Sequence, residues 1–301
     1  MTSRRTVCLM GLGEVGATLA AGLAGFPDLV IKTYDPLFDD PNSKPSQTLH
    51  ELPHLKAADC AVASVQDCDL VISAVTAARN LPAVESVLSG LQPEARFLDL
   101  NSVSPGAKCA VSELVTQAGG RYIEAVIMSP IAPQGIASPI LIGGPHAEAF
   151  LPEGVALGFS GMRFCAGQLG AAAATKMCRS VIVKGAEALL SESLLAARHY
   201  GVETAVVDSL SVLFPRPDWA GHARYMISRT LLHGVRRAEE MEEAARTVAD
   251  AGIEPHMSAA TVLRQAWAPR FAAALENREL TAMLDAIRAL AADTPIEKNS
   301  R

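Results

Sequence analysis

The stretch TVCLMGLGEVGATLAAGLAGFPDLVIKTYD, residues 6–35, decides the fold of this chain. A short apolar run leads into three glycines in G-x-G-x-x-G order. A segment rich in Ala and Leu follows, and a second apolar run ends at an acid. Two apolar runs that flank a glycine-rich turn and a helix are typical of a dinucleotide-binding βαβ unit, although such a turn can also serve packing alone. The stretch therefore predicts a Rossmann-type domain.

Each glycine of the turn has a predicted role. Gly11 permits the tight turn, Gly13 lets the backbone approach a pyrophosphate, and Gly16 lets helix and strand pack closely. The phosphates would meet the N–H groups at the helix start. Asp35 follows at the end of the second apolar run, where a carboxylate accepts hydrogen bonds from ribose hydroxyls and repels a 2′-phosphate. We therefore expect NAD, with NADP as the alternative.

Composition limits the possible functions. With 301 residues, half of them hydrophobic and 19% charged, the chain is expected to form two globular domains. A net charge of -6 argues against nonspecific nucleic-acid binding. The six cysteines show neither paired nor metal-ligand spacing, which predicts reduced thiols, a cytoplasmic location and no metal site. We find no signal peptide after the basic start MTSRR and no apolar run of about 18 residues that would predict a membrane span.

The expected domains are a nucleotide-binding domain, residues 1–167, and a helical domain, residues 168–301. Further strands of the first domain are predicted at Leu70–Val75, Arg96–Leu100, Tyr122–Met128, Ile140–Gly143 and Met162–Ala166. Residues 36–55 contain four prolines and predict an irregular surface connection. Short helices are expected at residues 82–90 and from Pro105 to Leu114.

From Leu169 onward the pattern becomes helical, beginning with a segment of about thirty residues that lacks proline. Breaks are predicted at Pro215–Pro217, at Gly252–Pro255 and near Pro269. The last stretch, TPIEKNSR, is expected to fray.

Polar residues follow two of the predicted strands. Val75 and Thr76 lie at the end of one strand, and Asn101 and Ser102 follow the next. The carboxyl ends of parallel strands face the ligand crevice, so substrate and cofactor are expected there. The complete set of predicted cofactor contacts is Gly11, Leu12, Gly13, Glu14, Val15, Gly16, Asp35, Val75, Thr76 and Asn101.

Lys176 is the candidate proton donor and acceptor. It shares one helix face with Ser180, Lys184 and Glu187, at steps of four, four and three. Burial among alanines would lower the pKa of a lysine enough for proton transfer. The same spacing also fits two lysines on a solvated face, so periodicity leaves both interpretations open.

Three ordered motifs resemble the signature regions of the β-hydroxyacid dehydrogenase superfamily: GLGEVG, DLNSVSP, and the G-x-A-x-x-x-K pattern that ends at Lys176. That superfamily includes 3-hydroxyisobutyrate, tartronate-semialdehyde and 6-phosphogluconate dehydrogenases. The later stretch HGVRRAEEMEEAARTVADAGIEPHMSAA resembles a branch labelled 6-phosphogluconate dehydrogenase-like, with no settled activity.

The resemblance implies an α/β fold: a doubly wound, mostly parallel Rossmann sheet followed by an all-α domain, assembled as a homodimer through the long helix. It implies that Lys176 is the general acid/base and that Ser102, with Asn101, anchors the substrate. The chain departs from the family at Ser180, where an Asn is usual, and at residues 128–131, MSPI, where the family has Ser-Gly-Gly. The departures leave room for a substrate that is bulkier than usual or phosphorylated.

Four cationic residues, His222, Arg229, His233 and Arg236, recur on one side of a predicted helix. In relatives that use phosphorylated sugars, such residues bind the phosphate. The alternative is a solvated stripe opposite the apolar side chains Met226, Ile227, Leu231 and Val235.

These features together predict an NAD(H)-dependent oxidoreductase that acts on a small hydroxy acid. Lys176 would transfer the proton, Ser180 would assist, and Asn101 and Ser102 would orient the substrate. The sequence leaves two alternatives open, namely imine or ketone reduction on the same scaffold and a non-catalytic NAD-binding protein.

Overall fold

The computed structural model of the protein describes residues 5–213 and 218–292. The chain divides into two compact units, residues 1–177 and 178–301, and the division falls inside the long helix. The domain boundary predicted after residue 167 lies just before that helix. Three stretches that the sequence analysis names lie outside the described residues: residues 1–4 of the basic start, the predicted break at Pro215–Pro217, and the last stretch, TPIEKNSR.

The first unit alternates strands and helices. In chain order these are β1 (Arg5–Met10), α1 (Glu14–Leu23), β2 (Leu29–Tyr34), α2 (Lys44–Glu51), β3 (Leu55–Ala57), α3 (Ala61–Val65), β4 (Leu70–Ser73), α4 (Asn80–Glu85), β5 (Arg96–Asp99), α5 (Pro105–Gln117), β6 (Arg121–Ile127), β7 (Ile140–Gly143), α6 (Ala147–Ala156), β8 (Met162–Ala166) and the long helix α7 (Ala171–Tyr200). Short 3₁₀ helices occupy Pro36–Asp39, Ala77–Arg79, Leu88–Gly90 and Gly135–Ala137.

The eight strands form one sheet in the order β3-β2-β1-β4-β5-β6-β7-β8. Neighbouring strands are parallel except for β6 and β7. Strands such as β4 are buried along their whole length because apolar clusters cover both faces of the sheet. The predicted doubly wound, mostly parallel Rossmann sheet is confirmed.

The expectation of an irregular connection over residues 36–55 is wrong. The segment contains α2, and β3 begins at its end and extends the sheet to its edge. Ser43 caps the helix, since its Oγ accepts the N–H of Ser46 at 3.2 Å. Pro45 lies in the first turn, where a missing N–H costs no helical hydrogen bond. The prolines here begin a helix instead of preventing one.

In the part that the structure describes, the second unit continues α7 and adds α8 (Glu203–Leu213), α9 (Trp219–Asp250), α10 (His256–Trp267) with a 3₁₀ extension (Ala268–Glu276), and α11 (Leu280–Ala292). Its core includes Leu194, Ile227, Leu231, Phe271 and Met283. The predicted helix break between Gly252 and Pro255 is confirmed, and the 3₁₀ segment begins next to Pro269. None of the helices formed by residues 5–213 and 218–292 is both long and apolar enough to cross a membrane.

Candidate functional site

The glycine turn after β1 has the geometry that the sequence predicts. Gly11 has a φ of +85°, and a Cβ there would lie 2.7 Å from the carbonyl oxygen of Ala74. A Cβ on Gly16 would lie 1.9 Å from the carbonyl oxygen of Gly11, so only glycine fits at either position. A Cβ on Gly13 would contact nothing within 4 Å. Packing therefore does not require glycine at position 13, and the backbone there is open to the close approach that the sequence predicts.

Asp35 is fixed against this turn. Its Oδ2 accepts the N–H of Leu12 at 2.9 Å, and its Oδ1 accepts the N–H of Leu37 at 3.0 Å. The acid is buried at the end of β2, yet each carboxylate oxygen retains a lone pair that can accept another hydrogen bond. Leu12 itself packs in the core, whereas Glu14 is exposed and Val15 is half-buried at the start of α1.

Asn101 links the loops that follow β4 and β5. Its Oδ1 accepts the N–H of Val75 at 2.7 Å, and its Nδ2 donates to Ser73 Oγ at 2.9 Å and to Asn80 Oδ1 at 2.8 Å. The residue is only 2% exposed, so these bonds occupy most of its capacity. Asn101 therefore holds the Val75 backbone in place, and Thr76 next to it is exposed.

Lys176 and Ser102, both predicted site residues, lie in direct contact. Lys176 Nζ donates to Ser102 Oγ at 2.5 Å, which joins residues 74 positions apart. Ser102 reaches this position because β5 ends at Asp99, and the loop after it continues to the N-cap of α5 at Ser104. Lys176 lies in the second turn of α7. The pair lies at the carboxyl end of β5, beside the loop that Asn101 ties to β4.

A buried charge cluster lies beneath Ser102, and sequence reasoning missed it. Asp99 and Lys108 are fully buried, with Nζ 3.0 Å from Asp99 Oδ1. The same Nζ donates to the carbonyl oxygens of Asp99 and Ala125, at 2.8 and 3.2 Å. Asp99 also accepts the Tyr122 hydroxyl at 2.8 Å and the N–H of Asn101 at 2.9 Å. Burial, followed by the charge of Asp99, raises the pKa of Tyr122 well above its usual value.

A second charged cluster lies in the helical unit. Lys184 pairs with Glu240, and Glu187 pairs with Arg237. Gln265 Nε2 donates to Glu187 Oε2 at 3.3 Å. Burial lowers the pKa of Lys184, and the charge of Glu240 opposes that shift. The solvated-face interpretation is therefore wrong for Lys184, and Ser180 is also buried on α7.

Two of the four cationic residues predicted on one side of α9 contact different neighbours. The His222 ring packs edge-on against Trp219, and Arg236 Nε lies 3.8 Å from Glu240 of the same helix. Val235, expected on the apolar side, is 64% exposed, while the other three apolar members are buried. The cause is Gly234, which packs against α10 so closely that a Cβ would lie 2.3 Å from the Gln265 carbonyl oxygen. Val235 comes next in the helix and turns away from that contact.

The chain is similar to one protein family and to several proteins of known structure. Residues 197–268 match the family described as "Domain of unknown function (DUF1932)". A conserved hypothetical protein of Sinorhizobium meliloti is 31% identical, with coverage of 96% of this chain and 97% of that one and a TM-score of 0.72.

Two further relatives connect the fold to hydroxyacid dehydrogenases. A conserved protein whose structure is reported to resemble 3-hydroxyacid dehydrogenases is 26% identical, covers 87% of this chain and 95% of its own, and has a TM-score of 0.66. A Mycobacterium tuberculosis protein named "Probable 3-hydroxyisobutyrate dehydrogenase" is 21% identical over 97% of this chain and 88% of its own length. By its fold and by these relatives, the chain belongs to the β-hydroxyacid dehydrogenase superfamily.

Proposed function

We propose that the protein is an NAD(H)-dependent dehydrogenase that interconverts the hydroxyl and carbonyl forms of a small hydroxy acid. The observation that carries this proposal is the 2.5 Å hydrogen bond from Lys176 Nζ to Ser102 Oγ. It joins an amine and a hydroxyl at the carboxyl end of a parallel strand, where Rossmann sheets bind their ligands. Dehydrogenases of hydroxy acids among the relatives support the same reaction class.

The glycine turn and Asp35 fit a dinucleotide. The open side of Gly13 and the first N–H groups of α1 suit a pyrophosphate. Asp35 presents a fixed carboxylate that can accept hydrogen bonds from the ribose hydroxyls. The same carboxylate would repel a 2′-phosphate, and this favours NAD over NADP. When bound, the nicotinamide supplies the hydride acceptor or donor.

The residues of the chain provide the proton chemistry and the orientation. In the oxidative direction, Lys176 in its neutral form accepts the proton of the substrate hydroxyl while the C–H bond yields a hydride. Ser102 Oγ accepts the hydrogen bond of Lys176 Nζ and holds the substrate hydroxyl next to that amine. Asn101 acts through the backbone that it fixes, and Ser180, one helical turn beyond Lys176, is assigned an assisting role. The homodimer remains a prediction from the resemblance, and the cytoplasmic location remains a prediction from the cysteine pattern.

The test is a panel of hydroxy acids, phosphorylated sugar acids and cyclic imines, each assayed with NAD(H) and NADP(H) through nicotinamide absorbance. We expect oxidation of a hydroxy acid with NAD. Lys176→Ala should lower kcat about 10²- to 10⁴-fold while NADH still binds, because only proton transfer is lost. The matched control is Lys56→Ala, which removes an exposed lysine of β3 and should retain activity.

The other outcomes contradict separate parts of the proposal. An active Lys176→Ala enzyme would remove the lysine from the mechanism. Turnover of cyclic imines alone would make the protein an imine reductase, and NADH binding with no turnover of any compound would make it a binding protein. A strong preference for NADP would overturn the role of Asp35.

A further inference from the structure

Glu124 is an acid in the middle of β6, a strand whose other side chains are mostly apolar. The strand reads RYIEAVI, and Glu124 is fully buried within it. It is paired in register with Asp99 on β5 and with Gly143 on β7. A Cβ on Gly143 would lie 3.0 Å from Glu124 Oε2, so the glycine makes room for this carboxylate. A buried acid needs partners that repay its lost hydration.

The partners of Glu124 are the first N–H groups of α7. Its Oε2 accepts the N–H of Gly170 at 2.7 Å, and its Oε1 accepts the N–H of Ala173 at 2.5 Å. These groups have no partner within the helix, and the positive end of the helix dipole favours an anion there. Burial raises the pKa of Glu124, while these N–H bonds and the charge of Lys108 lower it. Both oxygens of the carboxylate therefore bind the same helix end.

Lys176 lies one helical turn after the residue that Glu124 binds. An α-helix is stiff over one turn, so fixing the N–H groups of Gly170 and Ala173 also fixes the axial position and rotation of Lys176. On the other side of the contact, Asp99 accepts the N–H of Asn101, next to Ser102. Lys108 Nζ bridges both strands by binding the carbonyl oxygens of Asp99 and Ala125.

We propose that Glu124 is a positioning residue, whose carboxylate holds the first turn of α7 on the sheet and thereby keeps Lys176 Nζ at Ser102 Oγ. The anchoring follows from the contacts of Glu124, and its effect on turnover rests on the dehydrogenase function proposed above. Glu124 acts through the helix backbone and accepts no proton in the reaction.

The test compares Glu124→Gln with wild type and with Ile123→Val. The glutamine keeps the size of the side chain but replaces one acceptor oxygen by an NH₂ group that faces a backbone N–H. Ile123→Val trims a fully buried neighbour in the same strand, on the opposite face of the sheet from Glu124, and controls for a generic loss of core packing. Three quantities are measured: kcat on the best hydroxy acid, the NADH dissociation constant, and amide hydrogen exchange over residues 170–174.

Glu124→Gln should lower kcat roughly 10- to 100-fold, as displacement of a reacting group by about 1 Å does. The NADH dissociation constant should stay within about twofold, because the glycine turn is untouched, and exchange over residues 170–174 should become about tenfold faster. Ile123→Val should change none of the three by more than about twofold. Wild-type kcat and exchange in Glu124→Gln would overturn the proposal, as would an equal kcat loss in Ile123→Val or a parallel loss of NADH binding.

Failure of the dehydrogenase proposal gives a different result. If wild-type protein oxidises no hydroxy acid, the rate at which acetic anhydride modifies Lys176, read by mass spectrometry, replaces kcat as the measurement. A changed modification rate in Glu124→Gln, together with faster exchange, supports the anchoring role without any turnover. An unchanged modification rate overturns it.

Discussion

Two buried lysines, Lys108 in the first unit and Lys184 in the second, show two ways to bury a charge. Lys108 lies on α5 among fixed partners, since two of its three contacts are backbone carbonyl oxygens, that of Asp99 at the end of β5 and that of Ala125 within β6. The third contact is the carboxylate of Asp99, which is as fully buried as the lysine. Lys184 pairs with Glu240, a side chain on another helix that is itself 16% exposed.

The difference lies in how well each geometry is defined. Backbone carbonyl oxygens of a sheet cannot reorient, so Lys108 fixes the position of Asp99 and, through the N–H of Asn101, the start of the loop that carries Ser102. Ion pairs between side chains on different helices can exchange partners, and Glu240 also lies near Arg236. We infer that the first cluster defines the geometry of the candidate site, whereas the second contributes to helix packing. Three substitutions test this comparison.

Lys108→Met should have the largest effect. Methionine has a similar length but no charge, so Asp99 would remain fully buried without its cation. Breaking a buried pair from one side costs about 3–5 kcal/mol. Urea unfolding followed by circular dichroism measures the loss, and Lys56→Met, an exposed lysine of the same unit, is the control with an expected change within about 0.5 kcal/mol. A loss below about 1 kcal/mol for Lys108→Met would show that the buried pair does not support the unit.

Tyr122→Phe should have an intermediate effect that depends on pH. It removes one hydrogen bond to the Asp99 carboxylate, which is worth about 1.5–3 kcal/mol for a charged acceptor. The pKa of Tyr122 is raised in the folded protein, so from pH about 10 upward the unfolded chain loses its phenolic proton first and folding weakens. The phenylalanine variant has no such proton. The stability gap between wild type and Tyr122→Phe should therefore narrow above pH 10, and a constant gap from pH 8 to 11 would contradict the assignment.

The same contrast explains which features could be predicted from the sequence. The glycine turn was predictable because its constraints are mainly local: Gly16 packs against the Gly11 carbonyl, and Asp35 lies at the end of the next strand. Ser102 and Lys176 were each identified from motifs. Their contact spans 74 positions and depends on how the strands are ordered, which no local pattern specifies.

The charge clusters could not be predicted in this way. Lys108 stands among small residues in the first half of α5, and nothing in this stretch of sequence shows that a buried acid lies opposite it. Glu124 offered the clearest signal, since an acid inside the apolar run YIEAVI must find a partner. The partner itself, the start of α7, lies 46 positions away and became visible only in the fold.

Lys184→Met should have the smallest effect, at most about 1 kcal/mol. Glu240 would keep Arg236 nearby and part of its hydration, so no acid is left both buried and unpaired. Burial lowers the pKa of Lys184 in the folded state, so below its unfolded value of 10.5 the unfolded chain holds the proton more tightly. Wild-type stability should then rise relative to Lys184→Met as pH approaches 10.5, as urea unfolding at several pH values would show. A loss of unfolding free energy as large as that of Lys108→Met would mean that both lysines are equally constrained. The contrast between backbone and side-chain partners would then not explain how this protein buries charge.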